Sequence, residues 1–246
     1  MYKMIIFDLD GTLAPSKFRI DDSMAELLKK LLLKCKVSII TGGGFPQFEK
    51  QVFPFLGNDQ NILSNLYICP TCSTKMYVFS DGLWKKLYSE DLTIDEKNKI
   101  FKAFDIAIKE TGFKPEKVWG EIIEDRETQI TFSALGQEAP LSEKENWDPE
   151  FKKRFAIKKI LDEHLNGFFV RIGGKTSIDI TKDGIDKAYG IRKLKDVTGI
   201  DFDDMLFIGD AIFPGGNDYP AKEMGLDCIN TSGPFETEEI IKKLIE

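Results

Sequence analysis

A four-residue apolar run, Met4-Ile5-Ile6-Phe7, is followed at once by Asp8-Leu9-Asp10-Gly11-Thr12. The run reads as a short buried strand, so the acids lie at its carboxyl end. Two carboxylates two residues apart on a strand share a face, and they repel each other unless a cation or a proton lies between them. In open parallel sheets, ligands bind beyond the carboxyl ends of the strands. A charged site at the end of a first core strand is therefore the starting expectation.

The next residues continue in a βα rhythm. Asp21 and Asp22 can cap a helix to about Lys34, Val37–Ile40 reads as a second strand, Thr41-Gly42-Gly43-Gly44 opens a helix through Phe48 to Phe55, and Leu66–Cys69 is a third strand. Strands alternating with helices argue for a parallel, doubly wound sheet. The middle differs. Met76–Phe79 and Trp84–Tyr88 flank Ser80-Asp81-Gly82 as a hairpin, and a long helix runs from about Ile94 to Thr111. Strand-like runs follow at Val118–Ile123, Gln129–Ser133, Phe168–Ile172 and Ser177–Ile180, with a helix near Asp148–Glu163. This block reads as antiparallel α+β. From Ile185 the βα rhythm returns. The architecture expected is α/β: a doubly wound parallel-sheet core from residues 1–85 and 184–246, with an inserted α+β cap over 86–183.

The 246 residues suffice for two such units, and a formal net charge of −7 gives no footprint for nucleic acid or an anionic membrane. No apolar run approaches the roughly 18 residues of a membrane span. Without a signal-peptide pattern, the 4 cysteines read as reduced thiols and the expected compartment is the cytoplasm. Cys69-Pro70-Thr71-Cys72 offers two thiolates at zinc-ligand spacing, but no second pair or nearby histidine completes a tetrahedral site. A redox dithiol is the other option; buried thiols at a strand end is the reading taken. The single histidine, His164, falls in the inserted unit, which argues against histidine acid–base chemistry.

Four polar stations fall at strand ends or helix starts: Asp8/Asp10, Thr41, Lys187, and Asp210 with Asn217/Asp218. Phosphoryl transfer needs a nucleophile, a proton carrier and groups that neutralise the transferring oxygens. Asp8 needs no deprotonation to attack, and Asp10 on the same face can protonate a leaving oxygen. Thr41 and Lys187 can bind phosphoryl oxygens. Mg²⁺, a hard cation, suits Asp8, the Asp10 carbonyl and Asp210, with Asn217 and Asp218 in the supporting loop.

These stations resemble the motifs of the haloacid dehalogenase superfamily: DxDGT, a Thr/Ser after the second strand, a Lys, and a GD…ND pair. Gly173–Leu194, Phe207–Pro220 and Phe48–Asp59 resemble segments of the eukaryotic-type phosphomannomutases within it. The resemblance implies a Rossmann-like core with a cap inserted after the third strand. It also implies a phosphoryl group moved between the 6- and 1-hydroxyls of mannose through an aspartyl-phosphate, primed by a hexose 1,6-bisphosphate. Relatives often dimerise through the cap, so a homodimer is an expectation of the resemblance alone.

Carried onto this sequence, the resemblance assigns phosphate contacts to Thr41, Gly42 and Arg126, and phosphate or sugar-hydroxyl contacts to Ser177 and Asp179. Gln137 stands where the family has an arginine, Lys144 stands where it has another, and Lys17 replaces an arginine after the DxDGT turn. Lysine keeps the charge without the bidentate fork, and glutamine loses the charge. Cys69–Met76 also departs from the family's turn. A chain that cannot grip the second phosphate would release product after hydrolysis, so a sugar-phosphate phosphatase is the alternative. A cap serving only as a partner surface, with vestigial catalysis, is opposed by the intact Asp8, Asp10, Lys187 and Asp210.

Overall fold

In the computed structural model, which describes residues 2–113 and 115–246, the chain forms two compact units: Met1–Ser89 with Ile185–Glu246, and Glu90–Gly184. The strands, in chain order, are β1 (Met4–Asp8), β2 (Lys36–Ile40), β3 (Leu66–Cys69), β4 (Lys75–Ser80), β5 (Leu83–Ser89), β6 (Ile123–Asp125), β7 (Ile130–Ser133), β8 (Phe168–Ile172), β9 (Ser177–Lys182), β10 (Met205–Gly209) and β11 (Asp227–Asn230). The first unit carries a seven-stranded sheet in the order β11-β10-β1-β2-β3-β4-β5. Its first five strands are parallel, and the β4–β5 hairpin adds an antiparallel edge to β3. The hairpin read from Ser80-Asp81-Gly82 thus extends the core sheet instead of opening the inserted block.

The uniform apolarity of β1 has a direct cause. Ile5 and Phe7 pack on one face with helices Asp22–Leu32 and Pro234–Ile245, and Met4 and Ile6 pack on the other with Ile191 and Leu194 of helix Lys187–Thr198. Both faces are covered, so alternation disappears. Each such side chain contributes about 1.5–3 kcal/mol by leaving water. β1 is the middle one of the five parallel strands, and it ends at Asp8.

The second unit is a four-stranded antiparallel sheet, β6-β7-β9-β8, with helices on one face. Phe132, Ile130, Ile178, Ile180 and Val170 pack against Ile100, Ala103 and Phe104 of helix Ile94–Thr111 and Ile157 and Leu161 of helix Lys152–His164. The opposite face is polar: Gln129, Thr131, Ser133, Ser177, Asp179 and Thr181 alternate with those apolar residues.

Two expectations are corrected here. Of the strand expected over Val118–Ile123 only Ile123 lies in a strand, β6, which runs on to Asp125; Gly120, at a left-handed φ of 72°, lies in the irregular stretch before it. The helix expected near Asp148–Glu163 starts later, at Lys152, and runs to His164; a separate helix, Leu141–Trp147, precedes it. Pro149 disfavours helix at Asp148, and Phe151 turns left-handed at φ 61°. No helix among the described residues is long and apolar enough to cross a membrane.

Candidate active site

β1, β2 and β10 lie side by side in the sheet, with Asp8 opposite Ile40 and Phe7 opposite Ile208. This register brings the residues after three strands, Asp8/Asp10, Thr41 and Asp210, to one edge. Lys187 enters from the first position of its helix, whose N-cap Asp186 accepts from the Tyr189 N–H at 2.7 Å. Buried at 1% exposure, the Lys187 ammonium donates to Asp8 Oδ1 at 2.5 Å and to Asp218 Oδ1.

Asp8, Asp210 and Asp218 offer carboxylate oxygens within 4.8 Å of one another, and theirs is the one such acid, histidine or cysteine cluster among the described residues. One lysine among these acids leaves an excess of negative charge. Burial, and then Asp218 and Asp210, push Asp8 up to about 7 against the opposing pull of Lys187. Burial also raises Asp210, with Asp218 adding to the effect. Burial works against the charge of Lys187, but Asp8 and Asp218 outweigh it and hold the ammonium protonated above its ordinary range.

The acids approach so closely because nearby residues lack side chains. A Cβ on Gly11 (φ 89°) would collide with the Asp210 carboxylate, and one on Gly209 with the Asp218 carboxylate. Asp218, fully buried, also accepts the Ala211 N–H at 3.0 Å through Oδ2. Both of its oxygens are thereby engaged, so it anchors Lys187 and the loop after β10. Asn217 beside it is exposed.

Asp10 stands apart from the triple cluster. Its Oδ1 accepts the Lys17 N–H at 2.6 Å, and its Oδ2 accepts from Gln47 Nε2 at 2.6 Å. Lys17 is exposed, and its left-handed φ of 64° is what aims that N–H at Asp10. Sequence reasoning missed Gln47. The available signal was its place in the first turn of helix Phe45–Gln51, which starts where β2 delivers Thr41–Gly44.

Thr41 is buried, and its hydroxyl accepts the Gly43 N–H at 3.2 Å. A neighbouring segment braces this turn: the Thr71 N–H donates to the Gly43 carbonyl at 2.8 Å and the Cys72 N–H to the Thr41 carbonyl at 2.9 Å. Thr71, Cys72 and Ser73 all hold left-handed φ (49°, 54° and 66°), a costly run for residues with side chains. Gly42 borders Cys72, whose Sγ would lie 4.0 Å from a Cβ added there. Cys69 accompanies Ser38 at 3.5 Å, and burial pushes its thiol up to about 11. That is the environment of an inert packed thiol.

The remaining assignments fall within the cap. Arg126 Nη2 donates to Glu124 Oε2 at 2.7 Å. Asp179 accepts from Thr131 Oγ1 at 2.7 Å; burial raises it, while Arg126, Thr131 and Arg171 pull it down. Ser177 pairs with Ser133 across the ladder. Lys144 is buried and donates to the Gln137 carbonyl at 2.8 Å, and the buried Gln137 Nε2 has no hydrogen-bond partner. Arg154, also missed, is a buried clamp. It donates to Asp148 Oδ2 at 2.9 Å, to the Gly173 carbonyl at 3.3 Å and to the Gly174 carbonyl, fixing the turn that leads into Ser177 and Asp179. Burial raises Asp148, but the bonds from Arg154 and the backbone outweigh it and leave the carboxyl low.

The family model described as eukaryotic phosphomannomutase matches residues 24–246. Phosphomannomutase 2 of Dictyostelium discoideum is 28% identical over 87% of this chain and 84% of its own. A probable phosphomannomutase of Caenorhabditis elegans is 26% identical over 99% and 95%. Among solved structures, an N-terminally truncated IMP-nucleotidase of Plasmodium falciparum superposes with a TM-score of 0.70 at 19% identity, over 99% of this chain and 70% of that one. A haloacid dehalogenase-like hydrolase of Bacteroides thetaiotaomicron gives 0.67 at 15%, over 99% and 100%. These two likenesses speak for the fold alone. A Rossmann-like core, matched by that family model over most of the chain's length, makes this chain a member of the eukaryotic phosphomannomutase family.

Proposed function

We propose that the chain interconverts mannose 6-phosphate and mannose 1-phosphate through an aspartyl-phosphate on Asp8. The observation that carries this reading is the Lys187 ammonium shared by Asp8 and Asp218, with the Asp210 carboxylate beside them. Asp8 attacks phosphorus, and the bond from phosphorus to the sugar oxygen breaks. The electron pair stays on that oxygen, which takes a proton from Asp10. In the return half-reaction Asp10 removes a proton from the accepting hydroxyl, which attacks phospho-Asp8. Lys17 and Gln47 hold the Asp10 carboxylate from two sides, so its reach is fixed before substrate arrives. Lys187 holds Asp8 and offers charge to the transferring oxygens, and Thr41 and Gly42 line the turn beside them.

The acid cluster fits Mg²⁺: all its donors are oxygens, and burial, with the neighbouring acids adding to it, raises Asp8 and Asp210. Asp8, Asp210 and the Asp10 carbonyl would hold the ion, with Asp218 as a further donor. When bound, it would neutralise charge on the phosphoryl oxygens.

One observation favours the second reading, a sugar-phosphate phosphatase using the same phosphoenzyme. Gln137 brings no charge to the cap, and Lys144 donates to the Gln137 backbone. Incubation with mannose 1-phosphate, with and without a hexose 1,6-bisphosphate, separates the two. Bisphosphate-dependent 6-phosphate supports the mutase. Inorganic phosphate alone overturns it in favour of the phosphatase.

A further inference from the structure

The loop after β1 and the helix after β2 are joined by a ring of hydrogen bonds around Asp10. Gln47 Nε2 donates to Asp10 Oδ2 at 2.6 Å and to Gln51 Oε1 at 3.0 Å. The Gln51 carbonyl accepts the Ile20 N–H at 3.0 Å, and in the same loop the Lys17 N–H donates to Asp10 Oδ1 at 2.6 Å. The ring therefore passes from Asp10 through Gln47, Gln51, Ile20 and Lys17 back to Asp10, all within the core unit. Gln47 and Gln51 share one face of helix Phe45–Gln51 at i,i+4 spacing, and Gln51 is buried.

The chemistry of the ring fixes which way the Gln47 amide faces. Its nitrogen has two hydrogens, and each meets an acceptor. Turned over, the amide would set Gln47 Oε1 against the Asp10 carboxylate and Gln51 Oε1, acceptors with no proton among them. As it stands, Gln47 Oε1 lies against Gly43, where an added Cβ would collide with it. Gly43 belongs to the turn that Thr71 and Cys72 brace. The carboxamide thus rests on a fixed turn and reaches from it to Asp10. Lys17 alone would pin one carboxylate oxygen and leave the broad terminal torsion of Asp10 free to swing. Gln47 pins the other oxygen. Glutamate has the same shape but could not do so, because it only accepts and would bring a like charge.

We infer that Gln47 is a positioning residue that acts through Asp10: it aims the proton carrier at the leaving oxygen, and Gln51 holds it in place. The inference rests on the catalytic reading above and makes the chain sensitive to the leaving group. When Asp8 bonds to phosphorus and the ester bond breaks, a sugar or phenol oxygen keeps the electron pair and takes the Asp10 proton. A dinitrophenolate leaves as the stable anion and needs no proton. Loss of Gln47 should therefore harm the first transfer far more than the second.

The test is the single-turnover rate at which the full chain, with Mg²⁺ present, forms phospho-Asp8 from phenyl phosphate and from 2,4-dinitrophenyl phosphate. Gln47→Ala should slow transfer from phenyl phosphate about 10- to 100-fold, and from the dinitrophenyl ester by about threefold at most. Gln47→Glu, which keeps the shape and removes the donor, should behave as Gln47→Ala does. Gln51→Leu should give a smaller loss of the same kind. A fold defect slows both esters together and cannot produce this preference. Equal slowing of the two esters by Gln47→Ala overturns the inference, as does a Gln47→Glu chain with the parent's rates. Asp10→Asn examines the reading beneath it and should show the same preference in stronger form. Equal slowing there removes Asp10 as proton carrier and the inference with it, whereas a selective Asp10→Asn beside an unselective Gln47→Ala removes Gln47 alone. A parent chain that forms no phospho-Asp8 from either ester overturns the catalytic reading as a whole.

Discussion

The core cluster and the polar face of the cap sheet both carry charge, yet they are built in opposite ways. In the core, Lys187 meets Asp8 across 179 positions of sequence and Asp218 across 31, and each group stands at the end of a strand or the start of a helix. The result is dense, mostly buried and negative in excess, with a left-handed Thr71–Ser73 segment bracing its edge. In the cap, Glu124, Asp179 and Arg171 sit within neighbouring strands, and Arg126, just past β6, pairs with Glu124. A site in excess of one charge is poised to take up the opposite charge and stabilise a reaction.

Four substitutions or conditions press on that contrast. The largest effect is expected at Asp8→Asn, which removes the attacking oxygen: phosphoenzyme should vanish and kcat should fall by about 10³-fold or more. Turnover within tenfold of wild type would remove Asp8 as nucleophile. Next, Arg154→Met leaves Asp148 buried without its partner and releases the Gly173–Gly174 turn. A loss of about 3–5 kcal/mol in denaturant unfolding is expected. A loss below about 1 kcal/mol would mean that the cap turn is held by other means.

Asp210→Asn should then abolish most of the rise in thermal midpoint that millimolar Mg²⁺ gives the wild-type chain, because a ligand that binds only the folded state stabilises by mass action. An unchanged Mg²⁺ titration would take Asp210 out of the ligand set. The smallest effect is a pH slope measured without divalent ions. Asp8 is raised from 3.8 to about 7, so the folded chain keeps a proton that the unfolded chain has lost. Stability should therefore fall as pH climbs through that window, and Asp8→Asn should flatten the fall. A wild-type curve parallel to that of the variant would mean that Asp8 ionises normally.

The same contrast explains what was legible in the sequence. Asp8, Asp10, Lys187 and the Asp210–Asp218 loop announce themselves, because residues beside strand ends leave compact local patterns with Gly and Pro around them. Arg171 leaves no such trace. Its partner Asp179 is set by the register of β8 on β9, a tertiary choice that neither strand writes alone. Gln47 was hidden for a related reason, since its bond to Asp10 spans two elements of the core. The later start of the helix at Lys152 was readable in Pro149. The left-handed turn at Thr71-Cys72-Ser73 was not, because no glycine marks it.

Gly11 and Gly209 give the core cluster an uneven kind of fragility. Charge-altering changes there can be graded, as lysine to arginine or aspartate to glutamate are graded. A single methyl group at either glycine reaches the space that a carboxylate already fills. Among variants of this chain, the most damaging exchanges beside the catalytic acids should thus include some of the chemically mildest, glycine to alanine, at positions that carry no functional group at all.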